Sequence, residues 1–265
     1  MKEIIEKLQL RTDVSVYSPD FIRNMIQNRM QELKIEDFDL YKRVIDTHLS
    51  ELDKLENQLK NSYSRFFRNR LTFQTLSNVI LPVLLLKQGD KKEIRIWSAG
   101  CAAGQEAYSL AMVFESFNSA NIQKLKYRIF ATDREYNQLE NAVLGEYRKA
   151  DLLQVTVGDL AAFFSTKGNV YKVNNALKQH IQFELFDLNN NESLCPASSI
   201  FGEFDIVMCA NVLIYYNKEI QNRILSNFRK CMSKDGYILT DEAEREILLA
   251  HGFSEVYPQS CIFKM

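Results

Sequence analysis

The sequence has few of the residues that would hold a metal ion, a disulfide framework or a membrane span. Its five cysteines contain no C-x-x-C pair, and its three histidines, His48, His180 and His251, are scattered. Such spacing does not predict a zinc site. The longest apolar run, residues 79–86, is interrupted by Pro82 and is far shorter than the ~20 residues of a membrane span. We therefore expect reduced thiols, no metal and no membrane insertion.

A strong charge of either sign is also absent. The 265 residues carry 33 basic and 34 acidic side chains, which give a net charge of −1. This balance provides no field that would draw the chain onto nucleic acid or an acidic membrane. No apolar signal segment is visible near the amino terminus. We expect a globular cytoplasmic protein of one large or two modest domains, with no nucleic-acid partner.

Glycine does not occur before Gly89, and the residues up to about 75 have a helical pattern throughout. Apolar residues recur at near-helical spacing from Phe21 to Leu33, and a second stripe runs from Tyr41 to Leu59. Ser18 and Asp20 can cap the first of these helices, with Pro19 at its start. The pattern predicts a small helical domain over residues 1–75.

Beyond Gly89, short apolar strands alternate with helices. The predicted strands are 93–98, 127–132, 204–209 and 237–240, and the predicted helices are 105 to about 117, a second that ends at about 144, and 219–232. Gly145 is expected to end the second helix, and a turn at 234–236 to follow the third. Near-continuous apolar strands indicate a mostly parallel sheet that is covered on both faces.

Residues 146 to about 190 interrupt this alternation. Tyr171–Val173 and Ile181–Leu185 resemble strands without a long helix between them, and Gly168-Asn169 is a turn signal. We interpret this part as a small antiparallel β insertion at about 148–185. The predicted organisation is a helical domain at 1–75, a linker at 76–92 and an α/β domain at 93–265.

Two strand ends carry candidate binding residues. The first predicted strand leads into the small-residue loop 98–104, and the second ends at Asp133. Ligands of open parallel sheets bind at the carboxyl ends of strands, and an acidic residue there can accept both hydroxyls of a ribose. A tight turn would use the same loop, and Asp133 would also suit a helix cap. The two features together favour a nucleoside without a diphosphate, because no phosphate-gripping motif follows.

Five short motifs occur in a fixed order along the chain. SYSRFFR (62–68) resembles N-x-[TS]-x-F-F-R, and WSAGCAAGQEAYS (97–109) resembles W-S-A-G-C-S-T-G-E-E-P-Y-S. ATD (131–133) matches A-T-D, Gly145 and Tyr147 match G-x-Y, and CANVLIYY (209–216) resembles C-R-N-V-L-I-Y-F. In these motifs and their order the chain resembles the CheR-type chemotaxis receptor methyltransferases. The resemblance implies a helical amino-terminal domain before a Rossmann-like, mostly parallel domain that binds S-adenosylmethionine (SAM), with a small antiparallel β insertion.

The resemblance also implies roles for individual residues. Arg68 and Tyr215 are expected nearest the sulfonium and the incoming carboxylate. Glu106 is expected to hold the amino acid end of SAM, Asp133 the ribose, and Asp187 with Leu188 the adenine. The other expected cofactor-binding residues are Ser62, Ser64, Ala99, Gly100, Asn211 and Val212, with Arg68 also among them.

The activity implied is methylation of glutamate carboxylates on the cytoplasmic helices of chemoreceptors by a monomer without a metal. A glutamate is already ionised near neutral pH, since the pKa of its side chain in a free peptide is ~4.3, so no general base is required. Basic residues of the helical domain are candidates for receptor contact, although a solvated face of mixed charge is an equal alternative. These residues are Arg23, Arg29, Lys34, Lys42 and Arg43.

The loop around Ser165 to Val170 is short, which resembles members that do not use a receptor tail peptide as a tether, so transfer without a tether is expected. Two alternatives stay open at the level of sequence. A methyltransferase of the same build could act on another protein or on a small carboxylate. Ala210 replaces the family arginine and Asp187 its asparagine, which keeps open a SAM-binding regulatory module without turnover.

Overall fold

The computed structural model describes residues 1–48, 50–60, 64–87, 93–190, 192–200 and 202–265. The chain forms two compact units. The first unit comprises Met1–Ser62 and Val212–Arg223, and the second unit comprises Tyr63–Asn211 and Ile224–Met265. Within the described residues, no helix combines the length and the apolar character that crossing a membrane requires.

The first unit is helical, as its sequence pattern predicts. Its helices are α1 (Lys2–Gln9), α2 (Pro19–Glu32), α3 (Phe38–Thr47) and α4 (Ser50–Lys60), with a short 3-10 helix at Leu213–Tyr215. Ser18 caps α2 by accepting from the N–H of Phe21 at 3.1 Å, and Pro19 is the first helical residue. The second apolar stripe is divided between α3 and α4, because α3 ends at His48 in a non-helical conformation.

A buried ion pair joins the helices of the first unit. Glu51 is 3% exposed and accepts from Arg29 Nε at 2.6 Å, from Arg29 Nη2 at 3.0 Å and from the Tyr41 hydroxyl at 3.1 Å. Of the other basic residues considered for receptor contact, Arg23 pairs with Asp20 and Lys42 with Glu3. Arg29 is therefore a structural residue of this unit, and Arg23 and Lys42 each lie beside an acidic partner.

The second unit begins with helical turns that cover one side of its core. They are α5 (Arg70–Thr75), a π-helical turn (Leu76–Ile80) and α6 (Leu81–Lys87). Residues 76–87 lie in the segment predicted as a linker, and their Leu76, Ile80 and Leu81 side chains are buried in the core of this unit. The later helices are α7 (Gln105–Ala120), α8 (Tyr136–Leu144), α9 (Val157–Phe163), α10 (Asn175–Lys178), the part of α11 (Lys218–Cys231) that follows Arg223, and α12 (Arg245–Ala250).

A mostly parallel sheet forms the centre of the second unit. Its strands are β1 (Ile94–Ala99), β2 (Tyr127–Asp133), β6 (Ile181–Leu185), β7 (Phe204–Met208), β8 (Met232–Leu239), β9 (Ser254–Glu255) and β10 (Ile262–Lys264). In the described residues the order is β6-β2-β1-β7-β8-β10-β9, with parallel pairing from β6 to β8 and antiparallel pairing of β10. The Rossmann-like α/β class predicted from the sequence is confirmed.

The small antiparallel sheet is also present, with a different membership from that expected. It consists of β3 (Glu146–Arg148), β4 (Phe164–Lys167) and β5 (Val170–Val173) in the order β3-β5-β4. Ile181–Leu185 lies outside it, because this segment pairs in parallel with β2 at the edge of the main sheet. The sheet to which this strand belongs is decided by pairing with residues distant in sequence, and the local sequence pattern does not reveal such pairing.

The turn expected at residues 234–236 is wrong. These residues lie within β8, where the register against β7 shifts between Phe204 and Ile206. Gly236 allows β8 to approach β7 closely, since a Cβ there would lie 2.9 Å from the carbonyl oxygen of Phe204. A glycine at an irregular strand position produces the same sequence signal as a turn.

The strand order reverses direction at β1. The chain moves outward from β1 to β2 and β6, then returns to the other side of β1 as β7. In open sheets of this kind, ligands bind beyond the carboxyl ends of the strands beside such a reversal. The loop after Ala99 and the end of β2 at Asp133 occupy these positions.

Candidate cofactor and active site

The loop after β1 is bonded to the end of β2. The N–H groups of Gly100 and Cys101 both donate to the carbonyl oxygen of Thr132, each at 2.8 Å. Gly104 ends the loop with a φ of 89°, and a Cβ there would lie 2.9 Å from the Cβ of Ala142. Glycine is therefore required at residue 104. The small residues of the loop let a ligand approach its backbone.

Asp133 lies at the end of β2 with 5% of its surface exposed. Its Oδ2 accepts from the N–H of Ala102 at 2.8 Å, and its Oδ1 accepts from the N–H of Glu135 at 2.9 Å. Burial raises the pKa of this carboxyl, and these hydrogen bonds oppose the rise. Each oxygen has a second lone pair with which to accept from a hydroxyl. The fully buried Ala99 is the register partner of Thr132 on the adjacent strand.

Asp187 and Leu188 follow the edge strand β6. The N–H of Phe186 donates to the carbonyl oxygen of Asp133 at 3.0 Å, which brings this segment to the end of β2. Asp187 Oδ1 accepts from the N–H of Asn189 at 2.8 Å, and the Leu188 side chain is buried. The structure thus brings Asp133, Asp187 and Leu188 to one edge of the sheet.

The first turn of α7 carries two buried polar residues. Glu106 is 8% exposed and accepts from the hydroxyl of Ser98 at 2.6 Å. Burial raises the pKa of Glu106 to about 8; Glu244 and Asp241 add to the rise, while Ser98 and Arg68 oppose it. Gln105 is 9% exposed, and its buried Oε1 has no hydrogen-bond partner in the part of the chain that the structure describes.

Asn211 follows β7 in a left-handed backbone conformation, with a φ of 59°. Its N–H donates to Glu244 Oε2 at 2.8 Å, and its Oδ1 is buried without a partner among the described residues. Glu244 is fully buried and also accepts from the Thr240 hydroxyl at 2.9 Å. Asparagine tolerates the left-handed region better than most residues. Its unpaired oxygen is an acceptor available to a ligand.

Arg68 follows a strained turn that is anchored to α7. Phe67 has a φ of 47°, and its N–H donates to the Ser109 hydroxyl at 3.0 Å. The Gln154 amide donates to the carbonyl oxygens of Phe66 and Phe67 at 3.0 and 2.6 Å, an orientation that these two acceptors define. Arg68 Nε lies 3.0 Å from an oxygen of Asp241.

An open pocket of about 540 Å³ surrounds Arg68 in the second unit. Three arginines give the pocket a basic character, and two acidic residues offset part of that charge. Its lining residues are Arg65, Arg68, Asn69, Arg70, Gln154, Asn211, Asp241, Glu242 and Ala243. The pocket contains both Arg68 and Asn211 from the sequence prediction.

Four other residues are predicted for the site, and the structure describes three of them. Ser62 lies outside the described residues, and Ser64 is partly exposed in the loop before Arg68. Val212 and Tyr215 belong to the first unit. The Tyr215 ring packs 4.8 Å from the ring of Phe21, and its carbonyl oxygen accepts from the N–H of Ser18 at 2.8 Å.

Sequence reasoning missed three polar residues of this region. Asp241 stands one residue after buried Thr240, at the end of β8, which is the same signal that identified Asp133. Gln105 stands out in the sequence only as a departure from the family pattern, although its position opens α7 directly after the loop. Glu244 lies three residues after Asp241, the spacing of a capping box.

The donors and acceptors of the second unit suit SAM. Its ammonium group, ribose hydroxyls and adenine amino group are donors, and the unit offers carboxylates at Asp133 and Asp187 and unpaired amide oxygens at Gln105 and Asn211. Buried polar atoms are nearly always hydrogen-bonded, so the two unpaired oxygens indicate a missing partner that donates.

Curated relatives cover most of this chain. An uncharacterized 104.1 kDa protein of Rhodobacter capsulatus is 29% identical over 95% of the chain, which spans only 26% of that protein. A chemotaxis protein methyltransferase of Borreliella burgdorferi is 29% identical over 83% of the chain and 79% of its own length. Chemotaxis protein methyltransferase 1 of Pseudomonas aeruginosa is 33% identical over 68% of the chain and 64% of its length.

Solved structures resemble the chain more distantly. PKMT2 of Rickettsia typhi in complex with AdoHcy has a TM-score of 0.37 at 15% identity, covering 75% of this chain and 32% of that one. A TehB-like SAM-dependent methyltransferase of Corynebacterium glutamicum has a TM-score of 0.32 at 14% identity, covering 59% and 58%.

The model of the family described as "CheR methyltransferase, SAM binding domain" matches residues 62–254. This range contains the loop after β1, Asp133, Asp187 and Asn211, together with all five motifs. The chain therefore belongs to the CheR methyltransferase family and is a SAM-dependent methyltransferase.

Proposed function

We propose that this chain methylates glutamate side chains on the cytoplasmic helices of chemotaxis receptors. The observation that carries the proposal is Arg68, held by Asp241 in a pocket to which Arg65 and Arg70 also contribute. A guanidinium binds a carboxylate through paired, charge-assisted hydrogen bonds. Relatives from Borreliella burgdorferi and Pseudomonas aeruginosa are named chemotaxis protein methyltransferases, which supports a substrate of this class.

Cofactor binding is proposed chiefly for residues of the second unit. SAM supplies a methyl group bonded to a positively charged sulfur. Asp133 accepts from the ribose hydroxyls, and Asp187 and Leu188 lie against the adenine. Glu106, with Gln105 beside it on the first turn of α7, accepts from the ammonium group. The set carried over from the family resemblance also includes Ser62, Ser64, Arg68, Ala99, Gly100, Asn211 and Val212.

Positioning is the chief contribution of the protein to the transfer. A glutamate carboxylate is ionised near neutral pH, so the acceptor does not have to lose a proton. Arg68 orients the carboxylate, and the Tyr215 hydroxyl aligns one of its oxygens with the methyl group. Holding two reactants in the attacking geometry removes a large part of the entropic barrier, and fixed charges act without reorganisation.

Transfer without a receptor tail peptide is part of the proposal. Two residues, Gly168 and Asn169, separate β4 from β5 in the small antiparallel sheet. A connection of two residues is the shortest common hairpin turn. Such a tight hairpin supports a β insertion that acts without a docked tether.

The decisive experiment combines binding and transfer on one sample. Titration calorimetry with S-adenosylhomocysteine measures cofactor binding, and labelled SAM then reports transfer to a receptor cytoplasmic fragment. We expect binding and a base-labile label, because methyl esters hydrolyse in base. The matched control is the same fragment with alanine in place of the glutamates of its methylation helices.

Each other result has a distinct meaning. Binding without label on the fragment would contradict the receptor substrate and leave another carboxylate or a SAM-binding regulatory module. No binding would contradict the whole proposal. A fragment that retains its carboxyl-terminal tail should be labelled no faster than one without it, and tight binding of the isolated tail peptide would contradict tether independence.

A further inference from the structure

We propose that Asp241 is a positioning residue that fixes the guanidinium of Arg68 for methyl transfer. This inference rests on the proposed function, in which Arg68 orients the acceptor carboxylate. It goes beyond that proposal by assigning the group that holds Arg68 in place. Asp241 itself is not assigned a contact with the substrate or with SAM.

The Asp241 carboxylate is fixed by its own surroundings. Its side chain is 16% exposed, and Oδ1 accepts from the N–H of Glu242 at 2.8 Å. The Asn69 amide lies 3.5 Å from the same oxygen. Oδ2 is the atom that meets Arg68 Nε at 3.0 Å. One oxygen therefore anchors the carboxylate to the 3-10 helix Glu242–Glu244 that follows β8, and the other pairs with the arginine.

Pairing through Nε determines how Arg68 is oriented. A guanidinium is planar and rigid, so a bond at Nε fixes both its plane and the direction of its Nη groups. The backbone before Arg68 is fixed independently, through the bonds of Phe67 to Ser109 and to Gln154. Arg68 is thus held at its backbone by α7 and at its head by Asp241.

Charge gives Asp241 a second effect in this pocket. Arg65, Arg68 and Arg70 would together bind any anion strongly, and Asp241 offsets one of these positive charges. A partly neutralised arginine orients a carboxylate without holding it so tightly that attack is hindered. Binding a substrate and its transition state equally well does not raise kcat. Asp241 should therefore influence kcat more than cofactor affinity.

The test compares Asp241→Asn with the wild-type protein and with a matched control. Asparagine preserves the size of the side chain and its capacity to cap a helix, but it loses the charge. Asp151→Asn is the control, because Asp151 also pairs with an arginine Nε, at 3.3 Å from Arg148, and lies in the 3-10 helix Lys149–Leu152. The measurements are single-turnover transfer to the receptor fragment, S-adenosylhomocysteine affinity and the thermal midpoint.

We expect Asp241→Asn to slow transfer roughly 10- to 100-fold, the range that misplacement of a reacting group produces. Cofactor affinity should stay within about twofold of wild type, a loss far smaller than the loss of rate. Asp151→Asn should transfer at the wild-type rate, and Asp241→Glu should recover part of the loss. In an Arg68→Ala background, Asp241→Asn should have little further effect, since residues that act as one unit are not additive.

Two results would overturn the inference in distinguishable ways. In the first, the wild-type protein methylates the fragment and the Asp241→Asn protein does so at the same rate, or Asp241→Asn slows transfer as much in the Arg68→Ala protein as in the wild-type protein. Either observation would mean that Asp241 does not act through Arg68. If wild-type protein binds S-adenosylhomocysteine and yields no base-labile label, the proposed function fails and the role of Asp241 fails with it.

Discussion

At the scale of single residues, Glu106 is the most perturbed acid that the proposed cofactor site contains. Its pKa of about 8 arises chiefly from burial, with Glu244 and Asp241 raising it and Ser98 and Arg68 lowering it. The apo carboxyl is therefore mostly protonated at pH 7. A bound ammonium group favours the carboxylate, so binding should release a proton.

S-adenosylhomocysteine should accordingly bind more tightly as the pH rises from 6 to 8. Below the pKa of about 8 for Glu106, each pH unit should cost up to about tenfold in affinity, and the dependence should level off above it. Calorimetry in buffers of different ionisation enthalpy would detect the released proton. Glu106→Gln is the control and should lack this pH dependence, whereas a flat profile in the wild-type protein would remove Glu106 from cofactor binding.

The same raised pKa of Glu106 also determines how the stability of the ligand-free protein changes with pH. A carboxyl whose folded pKa lies above its unfolded value contributes stability below about pH 4.5, and this contribution is lost as pH rises through about 8. Charging Glu106 in the ligand-free protein is therefore unfavourable. In the proposed function the ammonium group of SAM supplies the opposite charge, so binding should offset this cost.

Residue type and strand-end position made part of the site predictable. Asp133 was identified from these two features, and the structure brings it to the loop after β1. Asp241 has the same features, because it directly follows the strand predicted at 237–240, but the sequence analysis did not extend the strand-end argument to it. The unpaired Oε1 of Gln105 could not be predicted, because burial without a partner depends on residues distant in sequence.

At the scale of helices and strands, the buried pair of Arg29 and Glu51 connects α2 to α4, and Tyr41 adds α3. We expect Glu51→Ala to destabilise the protein by about 3 kcal/mol, because it leaves the charge of a mostly buried arginine without its partner. Urea unfolding at pH 7, followed by circular dichroism, would measure the loss.

Asp53→Ala is the matched control on the same helix. Asp53 pairs with Arg11 at 2.5 Å, but its side chain is 54% exposed, so its loss should cost less than about 1 kcal/mol. Arg29 lowers the pKa of Glu51, and the stability that follows is present above the unfolded pKa and lost in acid. The cost of Glu51→Ala should therefore shrink toward low pH, and equal costs for the two variants would contradict a buried pair.

Local sequence patterns predicted the helices and strands better than they predicted which strands pair with each other. The Ser18 cap, the end of α8 at Gly145 and the strand over 127–132 follow from short-range signals, and the structure has each of them. Ile181–Leu185 was also recognised as a strand, but its pairing with β2 joins residues about 50 positions apart. No feature of the strand itself distinguishes the main sheet from the small one.

At the scale of the whole molecule, the motif at 209–216 crosses the division between the two compact units. Asn211 is the last residue of the second unit before this division, and Val212 and Tyr215 belong to the first unit. Within the first unit, Tyr215 carries the hydroxyl that the proposed function assigns to methyl transfer.

Tyr215→Phe tests that assignment. Phenylalanine keeps the ring that packs 4.8 Å from Phe21, and it removes only the hydroxyl. We expect S-adenosylhomocysteine affinity within about twofold of wild type and transfer slowed roughly 100-fold, as for the loss of one well-placed hydrogen-bond donor. Single-turnover transfer of labelled methyl to the receptor fragment is the measurement.

The neighbouring tyrosine provides the control for this substitution. Tyr216 is 5% exposed and stacks on Tyr17 with ring centroids 6.0 Å apart, so Tyr216→Phe should leave the rate of transfer unchanged. An unchanged rate in Tyr215→Phe would exclude its hydroxyl from the mechanism. An equal loss of transfer rate in both variants would instead indicate a general disturbance of packing in this short segment of the first unit. Both substitutions remove one hydroxyl from that segment, so an equal effect would not be specific to Tyr215.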